Sequence, residues 1–206
     1  LSTRPLTVFS ISGNIVDVKV GSEPDSKIFH VHKEVLAAAP FFQNALKPKW
    51  EARRNAAHIV LSDETPRIFD LYLQYLYVRN IPEALNWADL AHLYVLGEKL
   101  MHNEFQNAIV GRFIARLPRA ASSTAVNIIY DGTPEGLLAR KLMVDMICFV
   151  GGANWVRDTA LQTFRPEFVN GAFVALLEYR SLPQQRPWVT NPGVYFAANT
   201  QGNEHN

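Results

Sequence analysis

Two short alternating runs near the front of the chain constrain its fold more than any other feature. Ile15–Val20 reads Ile-Val-Asp-Val-Lys-Val, placing Val16, Val18 and Val20 on one side and Ile15, Asp17 and Lys19 on the other. That period of two is the pattern of a half-buried strand. Lys27–Val31 alternates again, with Phe29 and Val31 on one side, and Gly21–Asp25 between the runs is turn chemistry. Two strands joined by a short turn predict a hairpin. His58–Asp63, with Ile59 and Leu61 on its apolar side, predicts a third strand.

The rest of the pattern is helical. His32–Ala39 and Phe41–Leu46 read as two short helices separated by Pro40. Thr65-Pro66 combines a capping hydroxyl with a ring preset to helical φ, and Ile68, Leu71, Tyr72, Tyr75 and Leu76 follow at helical spacing through Val78. Further helices are predicted over Ala88–Leu100, Asn103–Leu117 and Ala120–Ile129. Thr133-Pro134 repeats the start signal ahead of Glu135–Val150, and Pro166 opens a last helix to about Arg180. Gly151-Gly152 reads as a helix C-cap. From Ser181 the composition turns to Pro, Gln, Asn and Gly, so 182–206 is expected to be a flexible tail. The predicted class is α+β: a small sheet with helices, then an all-helical extension. The expected division is a lead at 1–14, a core at 15–82, an extension at 83–181 and the tail.

Composition narrows the function. With 48% hydrophobic and 19% charged residues, the chain has the material for a packed core. Twenty basic and 19 acidic residues give a net charge of +1, against the concentrated basic excess of a nucleic-acid binder. No apolar stretch reaches the roughly 18 residues that span a bilayer, and Leu1–Pro5 does not show a signal-peptide pattern. Cys148, the single cysteine, is expected as a small buried apolar residue, and an intracellular location, cytoplasm or nucleus, suits a chain that cannot form an internal disulfide.

Several residue groups call for a functional reading. His30 and His32 lie two apart on a strand and share a face, but no Cys or carboxylate stands nearby at ligand spacing, so no metal is expected. His92 and His102 share no helical face. Lys47, Lys49, Arg53 and Arg54 surround Trp50, yet Glu51 stands among them, and the cluster reads as a solvated loop. No Gly-x-Ser-x-Gly, no phosphate loop and no Cys-His pair with a plausible orienting acid is present, and Gly151-Gly152 follows a helix and not a strand. No catalytic residue and no cofactor is expected.

The residues Val16-Asp17-Val18-Lys19-Val20, Phe29-His30-Val31-His32-Lys33-Glu34-Val35-Leu36 and Pro40-Phe41-Phe42 together resemble the core of the BTB/POZ family. Ile59-Val60-Leu61-Ser62-Asp63 and Phe69-x-x-x-Leu73-x-x-Leu76-Tyr77 are similar to its third strand and following helix. Leu93-Tyr94-Val95-Leu96-Gly97-Glu98-Lys99-Leu100, and the later Thr133-Pro134-Glu135-Gly136 and Pro166-Glu167-Phe168, resemble the fungal branch with a C-terminal helical part. The resemblance implies a Skp1-like BTB/POZ fold and a non-catalytic interaction module. It implies self-association or an adaptor role for a cullin-3-like scaffold of a ubiquitin ligase.

It also implies that Asp17 and Lys33 form the charged pair near a partner groove. Trp50 and Glu51, in a polar loop, are the further candidate partner-binding residues; Trp is favoured as an interface anchor. Ala39 replaces a Ser that caps the next helix in many members. The first fourteen residues show no helical period, so the obligate domain-swapped dimer of the zinc-finger-linked branch is not expected. A transcription-linked oligomeric scaffold is the alternative. A third reading, an enzyme or small-molecule binder in the helical half, requires a deep polar pocket between Asp131 and Tyr179.

Overall fold

The computed structural model describes residues 13–48, 58–116, 120–152 and 161–180. Strands β1 (Ile15–Val20) and β2 (Lys27–His32) form the expected antiparallel hairpin. Strand β3 (Ile59–Leu61) pairs with β1 in parallel, so the sheet order is β2-β1-β3. Alternation sorts the side chains: Val18, Val20, Phe29, Val31 and Ile59 are buried beneath the sheet.

Helices α1 (Lys33–Leu36) and α2 (Pro40–Ala45) follow the hairpin. Ala39 occupies the N-cap of α2 and its side chain caps nothing, as its substitution for Ser implied. Helix α3 (Pro66–Val78) begins at the expected proline, although Thr65 makes no side-chain cap bond. It buries Ile68, Phe69, Tyr72, Tyr75 and Leu76.

Helix α4 (Trp87–Lys99) is the central post. It packs on α3, on α5 (Asn103–Ile114) and on α6 (Ser123–Gly132). Asn86 caps α4 by accepting from the Asp89 amide at 2.8 Å, and the Asp89 carboxylate completes a reciprocal capping box. Arg67 of α3 grips the same carboxylate with two nitrogens, the longer contact being 2.9 Å. That guanidinium, and then the Asn86 amide, hold the Asp89 carboxyl below the usual range against the opposing effect of burial. Close approach of α6 to α4 depends on Gly132, where a Cβ would collide with the Val95 side chain.

The helical half differs from expectation at two starts: α6 begins at Ser123 and not at Ala120, because the Ser122 hydroxyl caps it by accepting from the Ala125 amide, and the next helix also begins late. Helix α7 runs over Leu138–Val150, not from Glu135. Thr133 does not cap it. Its hydroxyl donates back to the Ile129 carbonyl of α6, and the Arg140 guanidinium binds the Thr133 hydroxyl and carbonyl together with the Tyr130 carbonyl at 2.7 Å. With the threonine so engaged, the chain turns through Gly136 at φ 79°, a left-handed conformation suited to glycine. The C-cap of α7 is Gly151, in extended conformation. A 3-10 turn at Leu161–Thr163 precedes α8 (Pro166–Tyr179), which packs on α7. One continuous core runs from Val18 to Ala175.

Candidate protein-binding surface

The outward face of the sheet is built by the same alternation that fills the core. Ile15, Asp17 and Lys19 of β1 stand opposite His32, His30 and Ile28 of β2, and Lys19 stands beside Val60 of β3. A solvated sheet face is normally polar. Here Ile15, Ile28 and Val60 are 54%, 46% and 49% exposed. Tyr77 and Val78, at the end of α3, extend the apolar area at one corner, where His32 Nδ1 lies 2.8 Å from the Tyr77 hydroxyl. His32 thus ties the end of β2 to α3.

The expected Asp17–Lys33 pair does not form. Asp17 Oδ1 lies 2.6 Å from His30 Nδ1, its direct cross-strand partner. The reason is register: His32 is already the last rung, opposite Ile15, so Lys33 falls beyond the ladder. Its backbone N–H donates to the Asn14 carbonyl at 2.8 Å, and its side chain is half-buried at the first position of α1. Trp50 and Glu51, with Lys49, Arg53 and Arg54, lie outside the described residues.

Beside Val60 the surface opens into a socket of about 240 Å³. Phe41, Leu96 and Leu100 give it apolar walls, and Asp63 and Glu64 stand at its rim. Glu64 is held by Lys99 at 2.5 Å. A small apolar recess beside exposed β-branched residues can seat a partner's anchor side chain, the arrangement from which interfaces draw most of their affinity. Among the described residues, no group of three or more His, Cys, Asp and Glu could hold a metal ion.

Sequence reasoning missed this face, although its signal was present. Ile15 was assigned to the polar side of β1 with Asp17 and Lys19, and an Ile in that company is the anomaly. His102 is buried and satisfied. Its Nδ1 lies 3.0 Å from the Tyr72 hydroxyl, with Phe105 and Tyr75 packed against the ring. Burial first, and then the nearby Arg79, lower its pKa from the ordinary value.

In comparison with known proteins, the sequence model of the BTB/POZ domain matches residues 8–114. The chain belongs to the BTB/POZ family. BTB/POZ domains are in general protein-interaction modules without catalytic activity. The match extends past residue 82 and takes in α4 and α5 as well as the sheet and α3. Among curated proteins the chain is similar to BTB/POZ and MATH domain-containing protein 5 of Arabidopsis thaliana, with 29% identity over 107 residues. That alignment covers 52% of this chain and 24% of the relative, so the chain matches about a quarter of the relative's length. Among the described residues, no helix of this BTB/POZ protein is long and apolar enough to cross a membrane.

Proposed function

We propose that this chain is a non-catalytic adaptor that links a partner to a cullin-3-like scaffold of a ubiquitin ligase through its BTB/POZ core. The observation that carries the reading is Val60, exposed on the outward sheet face and lining the socket of Phe41, Leu96 and Leu100, with exposed Ile28 on the same rung beyond Lys19 and exposed Ile15 at the far end of β1. Exposed apolar patches of this kind mark partner sites. Trp50 and Glu51 belong to the segment that enters β3, next in sequence to the same face, and supply an aromatic anchor and a charge. Lys33 and Asp17 contribute separately, Asp17 through its pair with His30. The later helices are those of a fungal-type member, and a reducing compartment, cytoplasm or nucleus, suits Cys148.

Affinity capture on immobilised cullin-3 N-terminal region tests the reading. The full chain is retained at micromolar concentration, and Trp50→Ala weakens retention about tenfold, as expected of an interface anchor. No retention at that concentration removes the adaptor role.

A second reading, a transcription-linked scaffold that self-associates, is favoured by the sheet edges. Among the described residues, β2 and β3 each pair only with β1. An open edge can take up a further strand. Light scattering across a concentration series separates the two: a stable dimer favours the scaffold, a strict monomer the adaptor.

The catalytic alternative finds little support. Among the described residues between Asp131 and Tyr179, the surface carries an open, mostly apolar groove and, beside it, a smaller open recess lined by Asp131, Glu135, Arg140, Arg165 and Glu167.

A further inference from the structure

That groove lies between α7 and α8 and has a volume of about 530 Å³. Leu137, Val144, Val174 and Ala175 supply apolar walls. Along α8 it is lined by Glu167, Asn170, Gly171, Val174 and Glu178, residues at helical spacing on one face. The stripe from Glu167 to Glu178 rises about 16 Å, the length of about three helical turns. Gly171, which carries no side chain, leaves the middle low; a Cβ there would come into ordinary contact with the Val144 side chain at 3.4 Å.

The charge around the groove is one-sided. Four carboxylates line it, Glu135, Asp145, Glu167 and Glu178, against two cations, Arg140 and Lys141. Both cations are engaged. Lys141 pairs with Asp145 at 2.6 Å, and Arg140 binds the backbone carbonyls of Tyr130 and Thr133. Glu135, Glu167 and Glu178 form no ion pair with a described residue. Arg165, itself paired with Asp131, lies near Glu167, and carboxylates still outnumber cations along this apolar channel.

We propose that this groove docks an amphipathic helix of a partner protein, one carrying Lys or Arg beside its apolar face. Two packed helices offer a channel into which a third can lay its apolar ridge. The apolar walls accept side chains at i, i+3, i+4 and i+7, and Glu135, Glu167 and Glu178 meet cations on the flanks. Complementary charge then fixes register and speeds encounter. A small-molecule site fits less well, since such sites enclose most of their ligand and this groove is open along its length. An anionic membrane surface is disfavoured by the carboxylates. Residues 181–206 contain a single Lys or Arg, Arg186, so this segment does not offer the required complement.

Fluorescence anisotropy on the full chain tests the proposal with a labelled Leu/Lys peptide of about 14 residues, long enough for the stripe. Its Leu residues stand at i, i+3, i+4 and i+7. The controls are the same peptide with Glu for Lys and one of equal composition in scrambled order. The ordered Leu/Lys peptide binds about tenfold or more tightly than either control, and salt weakens it. The E167K/E178K pair, on exposed positions that leave packing intact, lowers affinity about tenfold. Gly171→Leu, which fills the channel, does the same; the charge pair keeps the test readable if that substitution disturbs the helices. Equal binding of ordered and scrambled peptides overturns the proposal, as does affinity unchanged by E167K/E178K. Competition by a peptide of residues 181–206, or affinity that falls as protein concentration rises, assigns the groove to the chain itself and also overturns it.

Discussion

Helices α4 and α8 are both rich in apolar residues, yet they meet different fates. In α4, eight residues are buried, among them Leu90, Leu93, Tyr94 and Leu96, because α3, α5 and α6 surround it. In α8 only Phe168, Ala172 and Ala175 are buried. Phe173 is 62% exposed, and Val174, Leu176, Leu177 and Tyr179 are exposed as well. A helix that is apolar on most sides is usually enclosed. The fold explains the apolar character of α4 fully and that of α8 only in part. What remains on α8, and on the outward face of the sheet, is the exposed apolar surface on which the two proposed docking sites rest.

The comparison breaks most easily on truncation. Leu90→Ala or Leu96→Ala in α4 costs about 2–5 kcal/mol in denaturant unfolding, the transfer loss plus a cavity. Phe173→Ala or Leu176→Ala in α8 stays within about 0.5 kcal/mol, as surface substitutions do. Equal losses in the two helices would mean that α8 is covered in the folded chain.

A smaller effect sharpens the role of α4 as the post. Gly132→Ala forces a methyl against Val95 and costs about 1–3 kcal/mol by overpacking, read as a lowered denaturation midpoint. Asn86→Ala removes the capping box at the other end and costs about 1 kcal/mol.

The mildest effect is one of pH. Burial lowers the pKa of His102 in the folded protein, so the unfolded chain binds the proton first. Its contribution to stability is complete above the unfolded value of about 6.5 and is lost as pH falls below it. Wild-type stability therefore declines from about pH 7 towards pH 5.5, and His102→Gln flattens that decline. A parallel decline in both proteins would place the titrating group elsewhere. Asp89, whose pKa is lowered by Arg67, acts in a separate window: its stabilisation is present above about pH 4 and is lost as acid protonates it.

Much of this fold was legible because strand alternation and helix spacing are local signals. β1 matches its expected bounds, and α3 starts at Pro66 as its sequence indicates. The parallel pairing of β3 with β1 was not legible, since a three-residue strand carries no mark of its partner. The start of α7 was misread because Thr133 spends its hydroxyl on the preceding helix, a tertiary choice shared with Arg140. The binding surface was legible only in fragments. Asp17 lies on the face, but its partner is set by register, which motif spacing does not reveal. Ile28 and Val60 become conspicuous only once the sheet order puts them on either side of Lys19.

The central claim is that the BTB/POZ core binds a protein through its outward sheet face and the neighbouring socket. Calorimetric titration of the full chain with the cullin-3 N-terminal region, for wild type and Val60→Lys, tests it most directly. The account predicts micromolar binding by wild type and about a tenfold or greater loss for Val60→Lys, with the melting temperature of the variant unchanged. Absence of binding by wild type, or equal binding by both proteins, would contradict it.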